Sequence, residues 1–459
     1  RRRCPGAAGR SAAVTPMGSE FESWGRVRRK PRAAADLTEF QATPPGGFLP
    51  FGNGRSYGDT CHNDQGRLLP LRPGAAISAF DPDTGLLTAD AGVLLSEILA
   101  AVMPHGFFLE VTPGTAQVTL GGAIANDVHG KNHHRRGTFG RSVESFTLLG
   151  SDGVLRSCSP EANAALFNAT IGGMGLTGII EQATIRLMRV PSANVRQTAF
   201  RFAGIDGYFD AIDDIDAVHE YSVAWIDQLA RGGRLGRGVL MAGDHAEDGG
   251  PAKPPSPPRL SVPFSPPVNL LNRLTLTAFN ELYYGRAPKQ PQTGVVAWSS
   301  YFHPLDAITG WNRLYGPRGL FQHQSVYPAE TARETTVALI ECAQKHGAAS
   351  FLTVLKRFGD VPSPGLMSFP RPGFTLTLDF ANSGERTLKM LDALDEIVIA
   401  AGGALNPYKD QRMSARMFEA SFPDWREMEA MRDPALMSDF WRRTAMALEP
   451  QSSKQAARA

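Results

Sequence analysis

Cysteine is scarce: four residues in a chain of 459, at positions 4, 61, 158 and 342, with no C-x-x-C spacing. That spacing excludes a structural zinc ribbon and a disulfide scaffold and suits a reducing compartment. No run reaches the 18 or so consecutive apolar residues a membrane helix needs, so the chain does not read as bilayer-spanning. Charge of one sign is not in excess either. A net charge of +2, without an RNA- or DNA-binding signature, removes the electrostatic footprint of a nucleic-acid binder. Two phosphate motifs are also missing. Neither G-x-G-x-x-G opening a helix, with an acidic residue about 20 positions on, nor G-x-x-x-x-G-K-[ST] occurs, which disfavours a Rossmann NAD enzyme and a nucleoside triphosphatase. His133 and His134 have no third partner at ligand spacing, so no metal is expected. The N-terminal RRRCPGAAGRSAAVTPMG lacks the apolar core of a secretory signal. Residues 1–20 are therefore expected to be disordered or non-native, with Met17 as the start.

What is present is glycine, concentrated in three loops. The first is Phe51-Gly-Asn-Gly-Arg-Ser-Tyr-Gly-Asp59; the second spans Val111 to Gly140, VTPGTAQVTLGGAIANDVHGKNHHRRGTFG; the third is Ile171-Gly-Gly-Met-Gly-Leu-Thr-Gly-Ile179. One such loop is ordinarily a tight turn. Three between positions 51 and 179 are better explained as main chain brought close to a ligand's phosphates, where side chains would obstruct. The basic stretch KNHHRRGTFGR at 131–141 is either a solvated loop or an attractor of anions, and both readings stay open.

Length and the 42% hydrophobic content allow two globular domains. Asp81-Pro82-Asp83-Thr84-Gly85 predicts a turn between two strands, followed by a helix from Leu95 to Met103 and a strand ending at 111. Ser151-Asp152-Gly153 predicts a hairpin joining Ser142–Leu149 to Val154–Cys158. A helix over Asn163–Ala169 and a strand over Gly178–Val190 complete an α+β unit. The proline-rich stretch at 250–268 is too rich in proline for a helix or inner strand and is either an inert connector or a mobile cover over a site. Beyond it the pattern predicts helix Pro328–His346, strand Ser350–Phe358, strand Phe374–Phe380 and helix Gly384–Ala401.

Six blocks, GNGRSYGD at 52–59, PGTAQVTLGGAIANDVHGKNHHRRGTFG at 113–140, ATIGGMGLTGIIEQATI at 169–185, FLTVLKRFG at 351–359, SFPRPGFTLTLDF at 368–380 and YKDQRMSARMF at 408–418, stand in an order that is recognisable. The chain resembles the FAD-binding oxidoreductases of the vanillyl-alcohol-oxidase type, and within them the decaprenylphosphoryl-β-D-ribose 2-oxidase family. The resemblance implies an α+β fold of two domains: an FAD-binding domain of the PCMH type at 21–190, and a substrate domain at 191–403 built on an antiparallel sheet flanked by helices. A C-terminal segment, 404–459, is expected to return to the FAD domain.

The resemblance also implies the site. Its cofactor shell falls on Gly52, Asn53, Gly54, Arg55, Ser56, Tyr57, Gly58, Asp59, Gly114, Thr119, Gly121, Gly122, Asn126, Asp127, His129, Ile180 and Asn406. The first loop carries no His or Cys able to bond a flavin, so the FAD is expected to be non-covalent. Lys409 and His129 are the expected catalytic residues. An ammonium at Lys409 would stabilise the charge left at flavin N1 and the C2 carbonyl when hydride reaches N5, and would hydrogen-bond the alcohol. Without the resemblance, Lys409 reads as a surface lysine paired with Asp410. Tyr57, Gln322, Gln324, Lys356, Thr375, Thr377 and Lys409 form the expected substrate pocket, where a lysine suits a phosphate and amides suit sugar hydroxyls. Thr377, Thr375 and Asn406 depart from the family, whose mycobacterial-type members carry cysteine, asparagine and tyrosine there, so the cofactor half of the site transfers better than the substrate half.

The activity this implies is oxidation of a sugar secondary alcohol, at C2 of a polyprenylphosphoryl ribose, with a short-chain reductase as the partner that completes the conversion to arabinose. An aldonolactone or alditol oxidase is the alternative within the same chemistry, and a flavin-binding subunit without turnover is the alternative outside it. The expected location is cytoplasmic, with a lipid-linked substrate bringing the protein to the inner membrane peripherally.

Overall fold

The computed structural model describes residues 21–28, 30–40, 45–249, 258 and 260–448. The expectation for residues 1–20 and that for 250–257 and 259 of the proline-rich stretch lie outside the described residues, as does the tail from 449.

The chain opens with a parallel pair, β1 (Phe48–Phe51) and β2 (Arg67–Pro70), and the first glycine loop leaves directly from the end of β1. There follow β3 (Ile77–Asp81), β4 (Leu86–Asp90), β5 (Phe107–Leu109), β6 (Val143–Leu149), β7 (Leu155–Cys158) and β8 (Ile179–Arg189), which form an antiparallel sheet ordered β3-β4-β8-β6-β7 with β5 also on β8. The strand pair joined at Asp81–Gly85 and the hairpin at 151–153 stand where the turn residues place them. Helix Leu95–Val102 buries Leu95, Ile98, Leu99 and Val102, a one-sided spacing that packs it under this sheet. Leu94 N donates to Glu97 Oε2 at 2.7 Å at its start.

The second lobe contributes β9 (Val195–Phe202), β10 (Tyr221–Ile226), β11 (Gly238–His245), β12 (Leu260–Ser261), β13 (Gln292–Val296), β14 (Ile308–Thr309), β15 (Leu320–Tyr327), β16 (Val354–Phe358), β17 (Gly373–Ala381) and β18 (Ala404–Leu405). All but β12 and β14, which pair in parallel with each other, make one antiparallel sheet in the order β13-β9-β11-β10-β16-β17-β15-β18. The α+β class and the helix-flanked antiparallel sheet of the second lobe are therefore observed. Its edge strand β18 lies past the boundary expected at 403, because Ala404 and Leu405 pair with Val326 and Ser325 before the chain turns away.

Strand alternation divides this sheet into two unlike faces. On β17, Phe374, Leu376, Leu378 and Phe380 are buried on the face that helices Ala332–Lys345 and Glu385–Ala400 cover, and Tyr327 Oη and Thr336 Oγ1 share a hydrogen bond of 2.7 Å across that interface. Thr375, Thr377 and Asp379 face the other way, toward the glycine loops.

Two predicted elements shift. The strand expected from Ser350 begins only at Val354: Ser350 N donates to Gln228 Oε1 and Ser350 Oγ accepts from Asp379 N, so residues 350–352 are tied by side chains and the first ladder bond is the one Thr353 O accepts from Ile226 N. An apolar run such as Phe351-Leu352 reads as strand locally, and tertiary pairing overrides it. The helix expected from Pro328 starts with a 3₁₀ turn at Ala329–Thr331 before the α-helix from Ala332. Between 260 and 268 the chain runs extended against 308–313, with Arg313 Nη1 donating to the carbonyls of Val262 and Pro263.

After β18 the chain crosses back to the first lobe. Met437 N donates to Phe48 O and Asp433 N to Leu176 O, both at 2.9 Å, and Trp425, Phe440 and Trp441 join the core that contains Phe48 and Leu176.

Candidate active site

The first loop is shaped by close approach. At Gly58 a Cβ would lie 1.9 Å from Asp410 O, so only glycine lets this main chain touch the 408–411 segment, and Tyr57 N donates to Tyr408 O at 2.8 Å beside it. Gly54 has φ +59°, and a Cβ there would meet Glu22 O at 2.4 Å. Between these points the amides of Asn53, Gly54, Arg55 and Ser56 find no acceptor among the described residues. Four adjacent N–H donors left open on a half-buried loop are a fit for phosphate oxygens, the group that FAD would place there.

The second loop is fastened to the first. Asn53 Nδ2 donates to Gln117 O at 2.7 Å, and Thr119 Oγ1 accepts from Gly122 N at 3.1 Å to start helix Leu120–Ala125, which Gly121 lets press on Ala91. Gly114 faces open space, with no protein atom within 4 Å of where its Cβ would stand. Substituting it therefore probes the ligand alone. Gly114→Ala should leave the melting temperature of flavin-free protein unchanged and lower FAD affinity by about tenfold, read by fluorescence titration; unaltered affinity would remove Gly114 from the cofactor shell.

The remaining predicted shell residues fall into two groups. Arg55 stacks on Trp24 at 4.7 Å, Ser56 O accepts from Trp24 N, and Asn126 ends helix Leu120–Ala125. Asp59, Asp127 and Ile180 are spent on the chain itself. Asp59 forms a two-pronged pair with Arg443 at 2.8 and 2.9 Å; Asp127 Oδ1 accepts from Gly140 N and its Oδ2 from Ser363 and Ser368 hydroxyls; Ile180 pairs with Leu148 in the sheet. These residues position loops and the C-terminal segment.

The residues expected at the substrate include a polar ladder on the face of the large sheet that turns toward the loops. Register sets Gln322 opposite Asp379, Gln324 opposite Thr377, and Thr375 opposite Lys356. Gln324 is fully committed. Its Nε2 donates to His129 Nε2 at 3.0 Å and to Thr375 Oγ1 at 3.1 Å, while its Oε1 accepts from Asn406 Nδ2 at 3.0 Å. Gln324, its amide expected to meet sugar hydroxyls, and Thr375, expected in the same pocket, hydrogen-bond within the chain and hold His129 and Asn406 in place. Gln322 Nε2 donates to Asp379 Oδ1, and its Oε1 is buried without a partner among the described residues. Thr377 remains partly exposed in the groove.

Lys409 does not pair with Asp410. The Asp410 carboxylate takes the amides of Arg412 and Met413 and the Arg412 guanidinium, and Lys409 Nζ lies 4.3 Å above the Tyr57 ring. Withdrawal from water lowers the Lys409 ammonium and Asp379 counters that, while burial raises Asp379 itself. Lys356, whose Nζ donates to Gly130 O at 3.4 Å, is brought down to about 7 by burial and by Lys409. Lys131, held on the Tyr301 ring and carbonyl, is brought to about 7 by burial and by Lys356. Burial, then Lys356, pushes His129 well below its ordinary value, which matches its role as a neutral acceptor from Gln324.

Sequence reasoning missed Lys131 and Asp379. Lys131 begins the basic stretch left undecided above, and Asp379 sits two residues past Thr377 on the same face of β17, so strand period alone would have found it.

Residues 41–159 match the family described as FAD binding domain. The chain is 36% identical over 418 residues to the decaprenylphosphoryl-β-D-ribose oxidase of Mycolicibacterium smegmatis, covering 86% of this chain and 89% of that protein. It is also similar, over shorter stretches, to the L-gulonolactone oxidase of Mus musculus, 28% identical over 32% of this chain and 33% of that protein. The D-arabinono-1,4-lactone oxidase of Yarrowia lipolytica is 27% identical over 26% of this chain and 23% of that protein.

Proposed function

Because the chain belongs to the FAD-dependent oxidoreductase family of the decaprenylphosphoryl-β-D-ribose oxidase, we propose that it oxidises a secondary alcohol of a phosphate-linked sugar, at C2 of a polyprenylphosphoryl ribose, as the first half of an epimerisation to arabinose. The observation that carries this reading is the row of three lysines, 131, 356 and 409, of which Lys131 and Lys356 have no ion-pair partner among the described residues. Cations withdrawn from water without anions are a standing cost that a bound phosphate would relieve.

The chemistry FAD supplies when bound is acceptance of a hydride. Lys409 Nζ hydrogen-bonds the substrate oxygen and takes the hydroxyl proton as the carbonyl forms; Asp379 balances the resulting ammonium. Gln322 Oε1, left open, accepts from a sugar hydroxyl. His129, kept neutral and fixed by Gln324, presents a ring without adding charge beside Lys409. Lys356 and Lys131 hold the phosphate.

No nucleophile bonds the flavin in this reading. Burial raises the Cys61 thiol to about 12 against the opposing pull of Arg32, and burial with Arg32 drops His62 to about 3. Acid precipitation should leave a colourless pellet; a yellow one overturns non-covalent binding.

The deciding experiment is anaerobic stopped-flow absorbance at about 450 nm, the oxidised-flavin band, with a short-chain polyprenylphosphoryl ribose in one syringe and an aldonolactone in a parallel run. Bleaching by the ribose lipid alone supports the proposal. Bleaching by the lactone alone moves the protein to the lactone oxidases, whose similarity here covers about a third of the chain or less. Bleaching by neither removes both substrates and favours a flavin-binding subunit without turnover.

A further inference from the structure

Nine of the fourteen exposed large apolar side chains among the described residues lie between positions 260 and 295. Exposed leucines scattered singly need no explanation, but such a concentration marks a contact surface. Its centre is helix Arg273–Arg286, in which only Leu276 and Asn280 are buried. Leu274 is 81% exposed and Leu282 53%, and with Ala278 between them they form one row at four-residue spacing. Just before the helix, Phe264, Val268 and Leu270 are exposed as well.

This row is not a loosened edge. The inner side of the helix is fastened: Asn280 Nδ2 donates to Asp227 Oδ1 at 2.7 Å, Tyr283 meets Trp225 at 4.7 Å between ring centres, and Phe279 meets Phe351 at 5.4 Å. The charges around it have one sign. The helix's own Glu281 is paired with Arg237 at 2.7 Å, whereas Arg273, Arg286 and Lys289 are exposed and make no ion pair among the described residues. Apolar contact also continues inward. Leu271 and Phe351 pack on the cluster of Tyr57, Trp311, Tyr315 and Leu320, and Tyr57 is the ring beneath Lys409.

We propose that this face docks on an anionic lipid bilayer, helix Arg273–Arg286 lying in the interface with Leu274 and Leu282 in the acyl region and the cations on the headgroups. A helix lying on a bilayer buries an apolar row and sets cations against lipid phosphates, which is the combination present here. No helix of the described residues is long and apolar enough to cross a membrane, so the contact is with its surface. This rests on the reading of a polyprenyl-phosphate sugar as substrate: docked this way, the face that holds the hydrocarbon tail in the bilayer is the one whose Leu271 packs on the cluster of Tyr57, the ring beneath Lys409.

The test is co-sedimentation of FAD-loaded protein, without substrate, on phosphatidylcholine vesicles with and without phosphatidylglycerol. Wild type should bind the anionic vesicles, and Leu274→Asp with Leu282→Asp should lower the bound fraction by about tenfold. The same variant should keep its FAD and its rate of flavin reduction by the short-chain ribose substrate, which shows that it is folded. Arg273→Glu with Lys289→Glu should abolish the preference for phosphatidylglycerol. Equal binding by the apolar variant, no binding by wild type, or a wild-type dimer that the variant breaks would each overturn the docking. Vesicle binding without flavin bleaching by the ribose lipid would remove the substrate reading and leave the docking standing; bleaching without vesicle binding would do the reverse.

Discussion

Lys409→Met is expected to retain FAD with an unchanged visible spectrum and to lose flavin reduction by about a thousandfold. Nζ stands over the Tyr57 ring and within electrostatic range of Asp379, with Asp410 occupied by the Arg412 and Met413 amides. An amine so placed meets the first loop only at the Tyr57 ring and leaves its open main-chain amides, the phosphate donors, untouched. Its removal therefore takes away the acceptor for the hydroxyl proton and the cation beside the developing charge, and leaves cofactor binding alone. Methionine keeps the length of the side chain and its contact with Tyr57, so a loss cannot be assigned to a cavity. Single-turnover stopped flow at saturating substrate is the measurement, because it separates the reduction step from binding. Undiminished reduction would take Lys409 out of the mechanism and leave Asp379 as the group to replace next.

The second large effect is on binding, and it depends on pH. Lys356 is brought to about 7 by burial and by Lys409. Below that value the free protein already carries the ammonium that a phosphate needs. Above it, binding must take up a proton, so affinity for a phosphorylated substrate should fall by up to about tenfold per pH unit for each linked lysine, while a neutral sugar analogue shows no such slope. Lys356→Met should raise KM for the phosphorylated substrate about thirtyfold near pH 7 with little change in kcat, and should flatten the dependence to the share that Lys131, also brought to about 7, still contributes. Steady-state KM from pH 6 to 9, for wild type and variant, tests both statements. A parallel slope with the neutral analogue would mean that the pH effect belongs to catalysis and not to the phosphate.

Local backbone demands made part of this site legible in advance. Gly54 and Gly58 stand in the first loop because one adopts φ +59° and the other meets Asp410 O, and such requirements are written in the residue itself. The hairpin at Ser151-Asp152-Gly153, the turn at Asp81–Gly85 and the alternation of β17 were readable for the same reason. Phe351-Leu352 misled because an apolar pair has the same local appearance whether its main chain joins a ladder or, as here, is tied by Ser350 to Gln228 and Asp379. Gln324 was read as a sugar contact for want of its partners: His129 and Asn406 are far from it in the chain, and only folding brings them within 3.0 Å.

By itself, then, the sequence determined the glycine loops that leave amides open to phosphate and the absence of any His or Cys in the first loop, both of which depend on residue type at adjacent positions, whereas Lys409 reads from its neighbours alone as a surface lysine paired with Asp410. The tertiary structure alone decided the substrate side and the outer surface. Pairing of β15, β16 and β17 set Gln322 on Asp379 and Thr375 beside Lys356, joining residues from three separate segments into one electrostatic unit. The unpaired row on helix Arg273–Arg286 emerged in the same way, since its composition resembles an ordinary packed helix until the fold buries Leu276 and Asn280 and leaves Leu274 and Leu282 in water. Pair distances and exposure are properties of the assembled chain, because burial is set by what arrives from elsewhere in it.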